Sequence, residues 1–111
     1  MERMSVPTVF VTDLADHAVL LDVREQNEWD AGHAPGAVHI PLMDLPHRLD
    51  ELPDDSDTLA VVCRSGGRSA RAVAWLVQQG FDVANLDGGM RAWAAAGKPM
   101  AAVSGAAPHV L

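Results

Sequence analysis

Short apolar runs alternate along this chain with segments of helical spacing. Residues 18–23 and 58–62 are apolar at nearly every position. Strands of this kind have both faces buried, which is typical of the inner strands of a parallel sheet. Shorter apolar runs at residues 8–11, 37–40 and 81–86 bring the prediction to five strands.

Helices are predicted between these strands from helical spacing and from the turn residues that bound each segment. The first is a brief helix over 12–15 capped by Thr12, and the second covers 25–30. The third begins near Pro46 and has Leu42, Leu45, Leu49 and Leu52 on one face. The fourth runs from Ser69 to about Gln79, where Gly80 ends it, and the fifth covers 88–96. The alternation of strands and helices predicts the α/β class, with about five mostly parallel strands and helices on both faces.

The remaining segments are predicted to lack regular structure. Residues 53–57 are expected to form a solvated acidic turn, and the alanine-rich segment 100–111 a flexible tail. A length of 111 residues, 49% of them hydrophobic, suits one domain over 1–111 with its core at about 6–99. No run approaches the roughly 18 apolar residues of a membrane span, and the N-terminus has no signal-peptide core.

Charge and cysteine content narrow the partners and the compartment. A formal net charge of −7 makes the chain a poor candidate for binding nucleic acid or an anionic membrane. Within this acidic background Arg64, Arg68 and Arg71 form a local positive cluster, for which a small anion is the natural partner. One cysteine cannot form an intramolecular disulfide, so we expect a reducing, cytoplasmic location.

Cys63 carries the strongest chemical signal. It follows the strand at 58–62 and precedes a helix, so it is expected in a glycine-containing loop at the carboxyl end of a parallel strand, where ligands bind. Converging backbone N–H groups, the helix N-terminus and nearby arginines all favour a thiolate there. Such surroundings lower a cysteine pKa from about 8.5 to roughly 3.5–7.5. Cys63 is therefore predicted to be a nucleophile.

Three separated motifs resemble one known family. Residues 63–69, Cys-Arg-Ser-Gly-Gly-Arg-Ser, resemble the active-site loop of the rhodaneses, the thiosulfate sulfurtransferases. Residues 20–24, with Glu28, Trp29 and the Gly-His-Ala-Pro-Gly turn at 32–36, resemble the first family motif, and residues 86–89 with Trp93 resemble the last. The resemblance implies a rhodanese-like domain in which Cys63 takes sulfur from thiosulfate as a persulfide. It then passes that sulfur to cyanide or to a thiol, including a thiol of another protein.

The resemblance also assigns roles to the loop. The residues expected to hold the substrate are Arg64, Ser65, Gly66, Gly67, Arg68 and Ser69. The guanidinium groups match oxyanions in shape and charge, and the glycines let the backbone curl around an anion. The serines could hydrogen-bond the sulfur, although Ser69 could equally cap the following helix. No cofactor or metal is expected, because the five histidines show no ligand spacing with Cys63.

Two alternatives to this function come from different classes of protein. A cysteine-based phosphatase or arsenate reductase would use a Cys-x5-Arg loop, which places arginine at position 69. This chain has Ser69 there, and Arg68 comes one residue early. A rhodanese-like module that only binds partners or relays sulfur is the other alternative, and the retained cysteine and arginine pair favour chemistry over binding alone.

Polar residues outside the loop are interpreted as structural. Asp22, Arg24 and Glu28 are expected to form an internal ion-pair network, a common reason for paired charges. An acid–base role is disfavoured, because sulfur transfer to a preformed thiolate needs no dedicated general acid. His33 in its glycine-containing turn is likewise expected to be structural.

Overall fold

A parallel sheet forms the centre of the molecule in this computed structural model, which describes residues 6–53 and 57–111. The strands are β1 (Thr8–Val9), β2 (Leu20–Asp22), β3 (Ala37–His39), β4 (Leu59–Val62) and β5 (Val83–Leu86). The five strands are ordered β1-β5-β4-β2-β3, and every neighbouring pair is parallel. The predicted α/β class with a parallel sheet is confirmed.

β4, which leads into Cys63, is the middle strand of the sheet and is buried along its whole length. Successive side chains of a strand point to opposite faces. Accordingly, Leu59 and Val61 join one apolar cluster, whereas Ala60 and Val62 join a second. The run at 58–62 is therefore apolar throughout because it packs against a core on each face.

Helices cover both faces of the sheet, as predicted. They are α1 (Gln26–Ala31), α2 (Gly67–Gln78) and α3 (Gly89–Ala95). Val73 and Leu76 of α2 lie in the cluster that contains Val61, and Met90 and Trp93 of α3 lie in the cluster that contains Val62. The two longer helices thus place their N-termini near the carboxyl end of β4.

Gly80 ends the segment of α2, as predicted. Its φ of +94° lies in the left-handed region that favours glycine. The Gly80 N–H donates to Val77 O at 3.1 Å and the Phe81 N–H to Leu76 O at 3.0 Å. These bonds form a Schellman motif, which satisfies carbonyl groups at the helix end.

The prediction of a regular helix beginning near Pro46 is wrong. Two 3₁₀ helices occupy this region, Leu42–His47 and Leu49–Glu51. Pro46 lies inside the first, where it has no N–H to donate to an α-helical ladder. The chain instead closes tighter turns, such as Arg48 N–H to Leu45 O at 3.1 Å. The spacing of the leucines indicates that one face is buried, but it does not indicate the type of helix.

The brief helix predicted over 12–15 is also shorter and earlier than expected. It is a 3₁₀ helix at Val11–Asp13, and the Asp13 carboxylate accepts the Phe10 N–H at 3.0 Å. Thr12 lies inside this helix and does not cap it. The predicted acidic turn lies partly outside the described residues, since the structure does not describe 54–56.

The C-terminal segment, expected to be a flexible tail, instead packs along α1 and the chain that follows it. Ala101 pairs with His33 in an antiparallel bridge, with both backbone hydrogen bonds at 2.9 Å. The His109 N–H donates to Ala31 O at 3.0 Å, and Val110 packs against the cluster that contains Val62. Backbone hydrogen bonds fix this segment, and an alanine-rich sequence gives no periodic signal for them.

We expect truncation after Ala107 to lower the free energy of unfolding by about 1–2 kcal/mol, because it removes the Val110 packing and the His109 hydrogen bond. Urea unfolding of the full and truncated chains measures the difference. Val103→Ala is the matched control, since Val103 is 64% exposed and should tolerate the change. An unchanged urea midpoint in the truncated chain would instead fit a frayed tail.

Candidate active site

The Cys63 loop joins the end of β4 to the start of α2, at the edge of the sheet where parallel strands end. Gly66 adopts a φ of +118°, a left-handed conformation, and precedes the first residue of α2. α2 begins at Gly67, two residues earlier than predicted, so Ser69 lies inside its first turn. Gly66 occupies the N-cap position, and the capping role considered for Ser69 is therefore excluded.

Hydrogen-bond donors converge on the Cys63 sulfur. The Gly66 N–H donates to Sγ at 3.1 Å, and the Ser69 hydroxyl lies 3.3 Å from Sγ. Cys63 is only 1% exposed. Burial raises the pKa of the thiol, but hydrogen bonds from the Ser69 hydroxyl and from the N–H groups of Ser69, Gly66 and Ser65 outweigh it and leave the pKa lowered. The loop therefore favours a buried thiolate.

Asn85 of β5 supports the donors around the sulfur. Its Oδ1 lies 2.5 Å from Ser69 Oγ, and its Nδ2 donates to Gly66 O at 3.1 Å. A hydroxyl carries one hydrogen, so Ser69 can donate either to Asn85 or to Sγ at a given moment. The sequence reasoning did not consider Asn85. The available signal was one polar residue within the otherwise apolar run 83–86, all of which is buried.

The start of α3 holds the loop backbone in place. The Met90 N–H donates to Cys63 O at 2.8 Å, and the Arg91 N–H donates to Arg64 O at 3.0 Å. Gly89 has a φ of +55°, and a Cβ at this position would collide with Cys63 O. The pair Gly88-Gly89 at the start of α3 therefore lets two helix N-termini meet at one loop.

The two loop arginines lie in different surroundings. Arg68 forms two hydrogen bonds to the Glu28 carboxylate, Nη1 to Oε1 at 2.7 Å and Nη2 to Oε2 at 2.8 Å. This pairing with Arg68 lowers the pKa of Glu28 to about 2. Arg64 is exposed, and its side chain has no hydrogen-bond or ion-pair partner among the described residues. The arginines expected to act together on an anion are thus divided, with one bound to a carboxylate and one open to solvent.

The predicted internal ion-pair network is confirmed for Asp22 and Arg24 but not for Glu28, which pairs with Arg68 instead. Both side chains are 0% exposed, and Arg24 Nη2 lies 2.7 Å from Asp22 Oδ2 and 2.8 Å from Gly32 O. His33 Nδ1 bonds the carbonyl of Trp29 at 2.8 Å, and the two rings stack with centroids 3.7 Å apart. These contacts fit the structural roles expected for Asp22, Arg24 and His33.

Neither a metal centre nor a membrane span is found in the parts of the chain that the structure describes. No group of three or more histidine, cysteine, aspartate or glutamate side chains there could hold a metal ion. No helix in residues 6–53 and 57–111 is long and apolar enough to cross a bilayer.

Comparisons of the sequence and of the fold with known proteins identify relatives of this chain. The family model for the rhodanese-like domain matches residues 7–96. A sulfurtransferase of Allochromatium vinosum is 42% identical over 91 residues, which cover 81% of this chain and 84% of that one. A putative sulfurtransferase of Bacillus subtilis, YtwF, is 42% identical over 80 residues, 72% of this chain and 77% of that one. The crystal structure of a rhodanese-related protein from Thermoplasma volcanium superposes with a TM-score of 0.75 at 32% identity, covering 85% of this chain and 96% of that one.

We expect Ser69→Ala to raise the pKa of Cys63, because the side-chain hydrogen bond to the thiolate is lost. Alkylation by iodoacetamide near neutral pH should slow by up to about tenfold, which follows from the smaller thiolate fraction. Ser65→Ala is the matched control, since Ser65 contributes its backbone N–H, which alanine retains. Equal alkylation rates in the two variants would show that the Ser69 hydroxyl does not stabilise the Cys63 thiolate.

Proposed function

The chain belongs to the family of rhodanese-like domains, and we propose that it is a thiosulfate sulfurtransferase that carries the transferred sulfur on Cys63. Relatives named as sulfurtransferases support sulfur transfer as the general role. The donor, the acceptor and the carrier residue rest on the arrangement around Cys63. The observation that best supports this proposal is that the Gly66 N–H and Ser69 Oγ converge on Sγ, at 3.1 and 3.3 Å.

The reaction proceeds in two displacement steps. The Cys63 thiolate attacks the outer sulfur of thiosulfate, a new S–S bond forms, and the old S–S bond breaks with its electron pair leaving on sulfite. The acceptor, cyanide or a thiolate, then attacks the outer sulfur of the persulfide, and the pair of the broken bond restores the Cys63 thiolate. The electrons balance within the reactants, so neither step requires an external oxidant or reductant.

The loop suits both charged states that this cycle requires. A thiolate and an ionised persulfide each carry one negative charge on sulfur, and inward N–H groups stabilise either one. Because Cys63 is 1% exposed, the loop must also admit the donor. A Cβ at Gly67 would meet nothing within 4 Å, so the backbone there has free space around it.

Charge and access support the proposed donor and acceptor. Arg64 is exposed and unpaired among the described residues, so its guanidinium group is available to an oxyanion. Small anions such as thiosulfate therefore suit the donor site, and cyanide or a thiol, including a protein thiol, suits the acceptor step. The cycle begins from a free thiol, which favours a reducing compartment such as the cytoplasm.

A cysteine-based phosphatase or arsenate reductase is a weaker interpretation of this loop. Its chemistry would require a guanidinium group free to hold three phosphate or arsenate oxygens. Arg68, the arginine nearest the required position, is instead bound through both terminal nitrogens to Glu28. Ser69 occupies the position where such a loop has its arginine and faces the sulfur at 3.3 Å.

We expect thiosulfate to increase the intact mass of the protein by about 32 Da, one sulfur atom, and Cys63→Ser to show no increase. Serine retains the size of the side chain but cannot form a persulfide, so the fold should survive, which circular dichroism checks. Thiocyanate release from thiosulfate and cyanide should be lost in the same variant. Hydrolysis of an aryl phosphate by the wild-type protein, without any gain of sulfur, would refute sulfur transfer in favour of the phosphatase alternative.

A further inference from the structure

Glu28 pairs with the guanidinium group of Arg68, which an anionic donor would otherwise meet beside Cys63. Arg68 directly precedes Ser69, whose hydroxyl lies 3.3 Å from Sγ. The Cys63 thiolate accordingly helps to raise the pKa of Arg68, after the hydrogen bond and the charge of Glu28. Glu25 acts on Arg68 in the same direction. Arg68 is therefore paired with the Glu28 carboxylate and also lies in the field of Glu25 and of the thiolate, so its positive charge is locally neutralised.

The Glu28 carboxylate is held in place independently of Arg68. Its Oε1 accepts the Glu25 N–H at 3.0 Å, which fixes the side chain over the first turn of α1. The Glu28 side chain is 13% exposed and that of Arg68 35%. A bidentate pair with one well-buried partner is more rigid than an ordinary surface ion pair. A donor therefore meets a fixed carboxylate near the site and not a mobile one.

We propose that Glu28 is a specificity-determining residue that disfavours dianionic sulfur donors relative to monoanionic ones. This inference rests on the proposed sulfur transfer to Cys63, and it names the preferred donor class, persulfides and thiosulfonates. Thiosulfate remains a substrate, but its second negative charge gains nothing from the neutralised Arg68. The donor charge is then balanced chiefly by the N–H groups of the loop that converge on Sγ.

Two donors that differ by one charge isolate this effect. Thiosulfate is a dianion, and methanethiosulfonate is a monoanion in which a methyl group replaces one oxygen. In both, Sγ attacks the outer sulfur and the same type of S–S bond breaks, with sulfite or methanesulfinate leaving with the electron pair. The ratio of the two kcat/KM values therefore reports the charge preference of the site and cancels effects on thiolate reactivity that both donors share.

We expect Glu28→Gln to raise the ratio of kcat/KM for thiosulfate to that for methanethiosulfonate by about tenfold, the effect of one charge acting over several ångströms in a partly buried site. The change should appear mainly as a lower KM for thiosulfate, because Glu28 acts on donor binding through Arg68. Glutamine can still accept the Glu25 N–H, so α1 should remain capped. Glu28→Asp retains the negative charge and should keep the ratio near the wild-type value.

Glu51→Gln is the matched control. Glu51 also forms a bidentate pair with an arginine, Arg48, with both oxygens at 2.8 Å, but it lies in a different region, in the 3₁₀ helix Leu49–Glu51. This variant should leave the donor ratio unchanged. A wild-type protein that gains sulfur from neither donor would overturn the proposed function itself. A wild-type protein that uses both donors, with an unchanged ratio in Glu28→Gln, would overturn only the role of Glu28.

Discussion

A negative charge on a nearly buried sulfur atom is the constraint on which the rest of this structure depends. Cys63 is 1% exposed, and burial alone would keep its thiol protonated. The thiolate is stabilised only if several donors point at one atom from within a few residues of chain. The left-handed Gly66 and the immediate start of α2 at Gly67 meet this requirement, because they turn successive N–H groups inward.

Elements far apart in sequence contribute to keeping the loop in this shape. β5 provides Asn85, which contacts Ser69 and Gly66. α3 provides the N–H groups that bind the carbonyls of Cys63 and Arg64. Glu28 in α1 binds Arg68 across a separation of 40 residues. The motifs that surround the loop in sequence therefore act largely as its support, and their effect on chemistry passes through the loop backbone and Arg68.

The sequence predicted those features that local chemistry determines. The apolar run before Cys63 and the helix end at Gly80 each carry their structural reason within a few residues, and they were predicted correctly. The helix predicted near Pro46 was wrong, because leucine spacing does not distinguish an α-helix from consecutive 3₁₀ turns. The packing of 100–111 depends on backbone bonds to residues near 30 and 33, which side-chain patterns do not encode. The pairing of Arg68 with Glu28 likewise depends on the fold bringing two distant segments together.

Titration of the Cys63 thiol tests the central claim most directly, because this cysteine is the only one in the chain. The ultraviolet absorbance of the thiolate follows its ionisation in the folded protein and in the same chain unfolded in urea. The account predicts a lower pKa in the folded protein, since the loop N–H groups and the Ser69 hydroxyl outweigh burial. A folded-state pKa equal to or above that of the unfolded chain would contradict it, because burial would then dominate and the loop would not hold a thiolate.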